Sequence, residues 1–215
     1  MAHFLGAVVL IVTALIPIVN PLGSAPIFLA LTRDCPAGAR FTLAWRIARN
    51  SFSLILGSLI IGTYVLAFFG VSLPIVRIGG GLVVLSTGWT MLKSEDNERQ
   101  EVRRSVDPQE VMLKAFYPLT LPLTVGPGSI SVAITLGANA PAPGGGRLAL
   151  ALAAAILGSL ILALSVFLCY AFAERVASWL GPSALNVILR LSSFLLTCVG
   201  LQIMWNGVSA LLQLH

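Results

Sequence analysis

The chain has 215 residues, of which 57% are hydrophobic and only 10% charged, and its mean hydropathy is +0.95. A water-soluble domain carries roughly 25% charged residues, so this composition excludes an ordinary soluble globule and suits a bilayer. The net charge of +5 does not point to nucleic acid, because the basic residues sit in short gaps between apolar runs and form no patch interleaved with aromatics.

Six apolar runs follow one another, at residues 4–31, 41–69, 73–92, 111–136, 148–172 and 184–212. Each supplies the ~20 residues that a helix needs to cross a ~30 Å hydrocarbon core. The first run could pass for a signal peptide, but Met1-Ala2-His3 has no Lys or Arg before it and no small-x-small site precedes its prolines. It reads as a membrane element kept in the mature protein. Cys35, Cys169 and Cys198 form no CxxC pair, so neither a disulfide framework nor a zinc site is expected.

The gaps between runs carry the charge. With the first, third and fifth gaps on one side, that side holds ten Lys and Arg, including Arg33, Arg40, Arg46, Arg49 and Arg175; the other side holds Arg147 alone. Lys and Arg mark the cytoplasmic side, so both termini are expected outside the cytoplasm. The third gap, 93–110, is rich in both signs and reads as a solvated cytoplasmic linker between two halves, 1–92 and 111–215.

The halves resemble each other. A shift of 101 residues carries Pro17, Pro21 and Pro26 onto Pro118, Pro122 and Pro127, and Ile55-Leu56-Gly57-Ser58-Leu59-Ile60 onto an identical hexapeptide starting at Ile156. Arg77 and Met91 match Arg190 and Met204 at a slightly larger shift. Three spans per half force the second half to enter from the opposite face. The expected fold is therefore all-α and polytopic: six transmembrane helices in two inverted three-helix repeats, the plan of many secondary transporters.

Chemistry is expected where the prolines cluster. Each proline removes one helical hydrogen bond and clashes with the carbonyl four residues back. In hydrocarbon, freed backbone groups must be buried in protein or line a wet cavity. The first and fourth helices should therefore be discontinuous near the midplane. Asn20, Pro21, Gly23, Ser24 and Pro26 in one, with Thr120, Pro122, Thr124, Gly126, Pro127, Gly128 and Ser129 in the other, form the candidate substrate site. Half-helix N-termini there suit a carboxylate, and freed carbonyls suit an ammonium or a cation. Arg77 and Arg190, about one turn inside their spans, either snorkel to the interface or pair with carbonyls of the broken helices as a supporting layer of the site. Asn50 and Gln202 read as helix-to-helix glue beside the site.

No Asp or Glu lies well inside a span, and His3 and His215 stand at the extreme ends. Acid–base or metal catalysis lacks material there. The reading is of a carrier without cofactor, not an enzyme.

The paired segments Asn20-Pro21-Leu22-Gly23-Ser24-Ala25-Pro26 and Pro122-Leu123-Thr124-Val125-Gly126-Pro127-Gly128-Ser129-Ile130 resemble those of the MarC family, and the likeness covers essentially the whole chain. That resemblance implies a multi-pass protein of the bacterial or archaeal inner membrane, related to small neutral amino acid transporters of the LysE exporter superfamily. The expected partners are lipid and a small neutral zwitterion, with H⁺ or Na⁺ as coupling ion and a homo-oligomer left open. The family's antibiotic-resistance label does not follow from these residues. Two other functions stay open: efflux of drugs or small metabolites, and a transmembrane thiol-redox carrier, which the cysteine positions disfavour.

Overall fold

A computed structural model of the chain describes residues 2–32, 35–93, 115–121, 123–139 and 146–212. Every regular element among them is helical. In chain order these are α1 (Ala2–Val19), α2 (Pro21–Leu31), α3 (Ala37–Phe68), α4 (Leu73–Lys93), a π-helical turn (Ala115–Thr120), α5 (Pro127–Ala138), α6 (Gly146–Ala171) and α7 (Ala173–Leu212). The charged linker expected at 93–110 lies, beyond Lys93, outside the described residues, as does Pro122.

Among the described residues, five stretches are long and apolar enough to cross a bilayer: Phe4–Leu29, Ala37–Phe68, Leu73–Lys93, Leu148–Ala171 and Arg190–Leu212. The chain is a polytopic membrane protein. The first stretch runs across the junction of α1 and α2. The fourth expected run is helical only in pieces. At 12 residues, α5 is about 18 Å long, short of the bilayer core.

The prolines act less uniformly than their spacing suggests. Pro17 is absorbed inside α1 and Pro26 inside α2. The first break falls at Asn20–Pro21 alone, where Asn20 adopts the left-handed conformation (φ 43°, ψ 59°) and Pro21 starts a new helix. At that first position the missing N–H costs α2 nothing, since its own helix holds no acceptor for it. Pro127 likewise opens α5, and Pro118 sits within the π turn. In α7 the interruption is a glycine: Gly181 (φ 70°, ψ 166°) separates a leading segment from the membrane stretch that starts at Arg190.

Polarity runs inside out. Large apolar side chains such as Leu10, Phe68, Leu160 and Trp205 are exposed, where lipid would meet them. Among the described residues the buried polar side chains include many small hydroxyls, such as Ser24, Ser51, Thr120, Thr124, Ser129 and Ser159. The most extensive helix pair is α4 with α7. Glycines let these backbones touch: a Cβ on Gly81 would stand 2.5 Å from the Met204 nitrogen, and one on Gly88 2.6 Å from the Thr197 nitrogen. Helix α3 packs on α5 and α6, and α1 packs on α6. At one end of the bundle Arg40, near the start of α3, pairs with Glu174, near the start of α7, and also donates to the Cys35 carbonyl at 3.0 Å. The first and fifth gaps therefore share a face.

Candidate functional site

The two interruptions meet. Between them lies a cavity of about 310 Å³, walled by Asn20 and Ser24 from the first break, Thr124 and residues 126–129 from the second, and one face of α4. That face is Val83, Thr87 and Met91, every fourth residue, with Val84 beside them. The volume is at the lower end of small-ligand pockets. The cavity reaches from the middle of α4 toward Lys93. On the Leu73 side it is stopped by α5: Ser131 rests against Gly80 and donates its hydroxyl to the Val76 carbonyl at 2.8 Å.

Each break satisfies most of its own backbone and leaves one end open. At the first, the Asn20 carboxamide oxygen accepts from the Gly23 N–H (3.2 Å), and the Asn20 carbonyl accepts from both the Ser24 N–H (3.0 Å) and the Ser24 hydroxyl (3.0 Å). The N-terminus of α2 is thereby capped. The cap diverts the donor that a continuous helix would have given to the Val19 carbonyl, and Pro21 has no N–H for the Pro17 carbonyl. The negative end of α1 is left facing the cavity at Val19.

The second break is the converse. The Thr120 carbonyl accepts from the N–H groups of Thr124 (3.1 Å) and Val125 (2.8 Å). The Thr124 hydroxyl donates to the Leu119 carbonyl (2.8 Å), and the Thr120 hydroxyl to the Ala115 carbonyl (2.7 Å). The Leu119 and Thr120 carbonyls are thereby taken. The N-terminus of α5 has Gly126 as its cap residue, with no side-chain cap bond, and its first described turn bond is Ile130 N–H to the Gly126 carbonyl at 3.1 Å. The N–H groups of Gly128 and Ser129 have no acceptor within their helix, and both residues wall the cavity. One cavity thus has a positive backbone end contributed by one break and a negative end contributed by the other.

A family model, MarC family integral membrane protein, matches residues 5–212. The chain belongs to the MarC family. A membrane protein of Methanocaldococcus jannaschii is 27% identical, over 93% of this chain and 95% of its own length. The inner membrane proteins MarC of Salmonella typhimurium and Citrobacter koseri are 26% and 29% identical, each over 94% of this chain and 93% of theirs. No solved structure matches the chain.

Within this MarC-family chain, the cavity gathers Asn20, Ser24, Thr124, Gly126, Pro127, Gly128 and Ser129 of the expected set. Pro21, Gly23 and Thr120 shape the breaks without walling it, and Pro26, absorbed inside α2, does neither. Thr120 is fully buried and is reached by the Asn50 amide nitrogen at 3.4 Å, so Asn50 does tie α3 to the second break. The other supporting candidates do not converge: Gln202 is exposed and donates to Asn206, Arg190 is exposed at the start of the last membrane stretch, and Arg77 lies toward the far end of α4 beside Gly207. None of the three walls the cavity.

Two contributions were missed by sequence reasoning. The α4 face carried no polar signal except Thr87, whose hydroxyl is turned back to the Val83 carbonyl. Tyr170 of α6 is fully buried behind the cavity, with its hydroxyl 2.9 Å from the Thr124 hydroxyl and its ring stacked on Phe28 at 4.5 Å. A tyrosine near the end of an apolar run reads as an interfacial anchor, which hid it.

Proposed function

We propose that this protein is a secondary carrier of small neutral amino acids across the cell membrane. The observation that carries the reading is the pair of opposed backbone ends in one small uncharged cavity. A zwitterion fits it: its carboxylate would take the Gly128 and Ser129 N–H groups, and its ammonium the Val19 end of α1. No side chain of either charge walls the cavity among the described residues, which favours a net-neutral solute. Val84, Met91 and Leu196 give the solute's side chain an apolar wall.

Alternating access is part of the proposal. The cavity extends toward only one end of α4, and the other end is stoppered by α5. Six spans in two inverted halves would supply the second state by exchanging the roles of α2 and α5. Packing supports this plan: α4 and α7, which hold the third run of each half, form the most extensive helix pair, and Gly81 abuts Gly200 while Gly88 abuts Ser193, so the two helices run antiparallel as inverted halves require. With the Lys93 end cytoplasmic, as the basic gaps imply, the cavity here opens inward and both termini are external.

The test is flux. Proteoliposomes holding the purified protein should move labelled alanine, glycine or serine, with an imposed H⁺ or Na⁺ gradient identifying the coupling ion. No flux of any small amino acid under either gradient sinks the proposal. The apolar wall also suits an apolar cargo, and drug resistance gained on expression without amino acid flux would favour efflux of drugs or metabolites. The thiol-redox reading has no support: Cys35, Cys169 and Cys198 all lie outside the cavity wall.

A further inference from the structure

We propose that Tyr170 is the positioning residue that sets the spacing between the two backbone ends of the cavity. The inference rests on the carrier reading for its consequence in transport, but not for its structural content. Tyr170 sits on α6, outside both interruptions, and reaches from one to the helix that leaves the other. Its hydroxyl is 2.9 Å from the Thr124 hydroxyl in the second break. Its ring stacks on Phe28, one turn past Ser24 on α2, at 4.5 Å with an interplanar angle of 11°. All three side chains are buried.

The Thr124 hydroxyl gives its proton to the Leu119 carbonyl, so the Tyr170 proton goes to Thr124. The ring of the same side chain holds Phe28 on α2. The tyrosine therefore ties the second break, through its hydroxyl, to the helix that leaves the first break, through its ring. It does so without walling the cavity, so it acts through Thr124 and Phe28 and not on the solute.

Tyr170→Phe tests this, because the phenyl ring keeps the stack on Phe28 and only the hydroxyl is lost. Losing one buried hydrogen-bonded bridge is expected to raise the KM for alanine or serine roughly tenfold. The maximal rate per folded protein should stay near wild type, whereas a merely structural defect would lower the amount of active carrier and leave KM unmoved. Hydrogen–deuterium exchange gives a readout that needs no substrate. In the variant, the amides of both breaks, around residues 19–24 and 119–129, should exchange faster together. An unchanged exchange pattern, or acceleration at one break only, overturns the proposal whatever the flux shows. If the wild type moves no amino acid, the carrier reading falls, and exchange alone decides the role of Tyr170.

Discussion

At the residue scale, Asn20 performs two tasks that separate on substitution. It holds a left-handed backbone angle, which costs a non-glycine residue about 1–2 kcal/mol, and it caps α2, worth about 1 kcal/mol. Asn20→Gly keeps the angle and loses the cap; Asn20→Ala loses the cap and strains the angle. Denaturant titration in detergent should find the alanine variant the less stable by about 1 kcal/mol. The open end of α5 offers a second separation. Ser129→Ala keeps the backbone N–H, while Ser129→Pro deletes it at a first-turn position that tolerates proline. Calorimetry should find amino acid affinity little changed by alanine and at least about tenfold weaker with proline, the loss expected for one charge-assisted hydrogen bond. Equal effects of the two would remove the backbone from the binding account. The sequence showed that polar residues and prolines gather at both breaks, since proline's missing N–H is a local property. It did not show which helix end stays open. That depends on Asn20 reaching back over α2 while Gly126, lacking a side chain, cannot do the same for α5.

At the element scale, the α4–α7 seam separates glycines that matter from those that do not. Gly81→Ala drives a methyl into the Met204 backbone, which cannot rotate away. A loss of about 1–3 kcal/mol is expected. Gly79→Ala, two residues away, meets nothing within 4 Å and should be close to neutral. Thermal unfolding of the two variants side by side checks the contrast. In the sequence, Gly79, Gly80 and Gly81 are one undivided run, and only the facing helix distinguishes them. Five of the six expected runs were legible as spanning helices because apolar length is enough to identify them. The fourth was legible as an interrupted run, yet the interior positions of Pro17 and Pro26 were not. A proline inside a membrane helix is tolerated when its neighbours absorb the missing bond, and those neighbours are set by packing.

At the scale of the whole molecule, the Arg40–Glu174 pair places the first and fifth gaps on one face, as the distribution of basic residues implies. Ser72→Cys, in the second gap, should react with an impermeant maleimide from outside the cell. Arg175→Cys, in the fifth gap, should react only when the inner face is exposed. Labelling of both from the same side would undo the proposed topology.

The tight seating of α5 has a further consequence. Ile134 presses on Gly62, and Gly137 lies against the Leu59 carbonyl, whereas α2, its proposed counterpart, packs far less on its neighbours. One short helix is docked and its twin is loosely held, so under the proposed alternating access the resting preference hangs on two glycines at the α3–α5 contact, one on each helix. Overpacking there by one methyl costs about 1–3 kcal/mol, comparable with the gap between interconverting states of a protein. Gly137→Ala should therefore reverse the direction the molecule faces before it unfolds it. A thiol probe at Thr87, reached from one side of the membrane in the parent, would then be reached from the other. Natural variation at a single small residue, remote from any solute, is a route by which such a protein could retune its bias between loading and release.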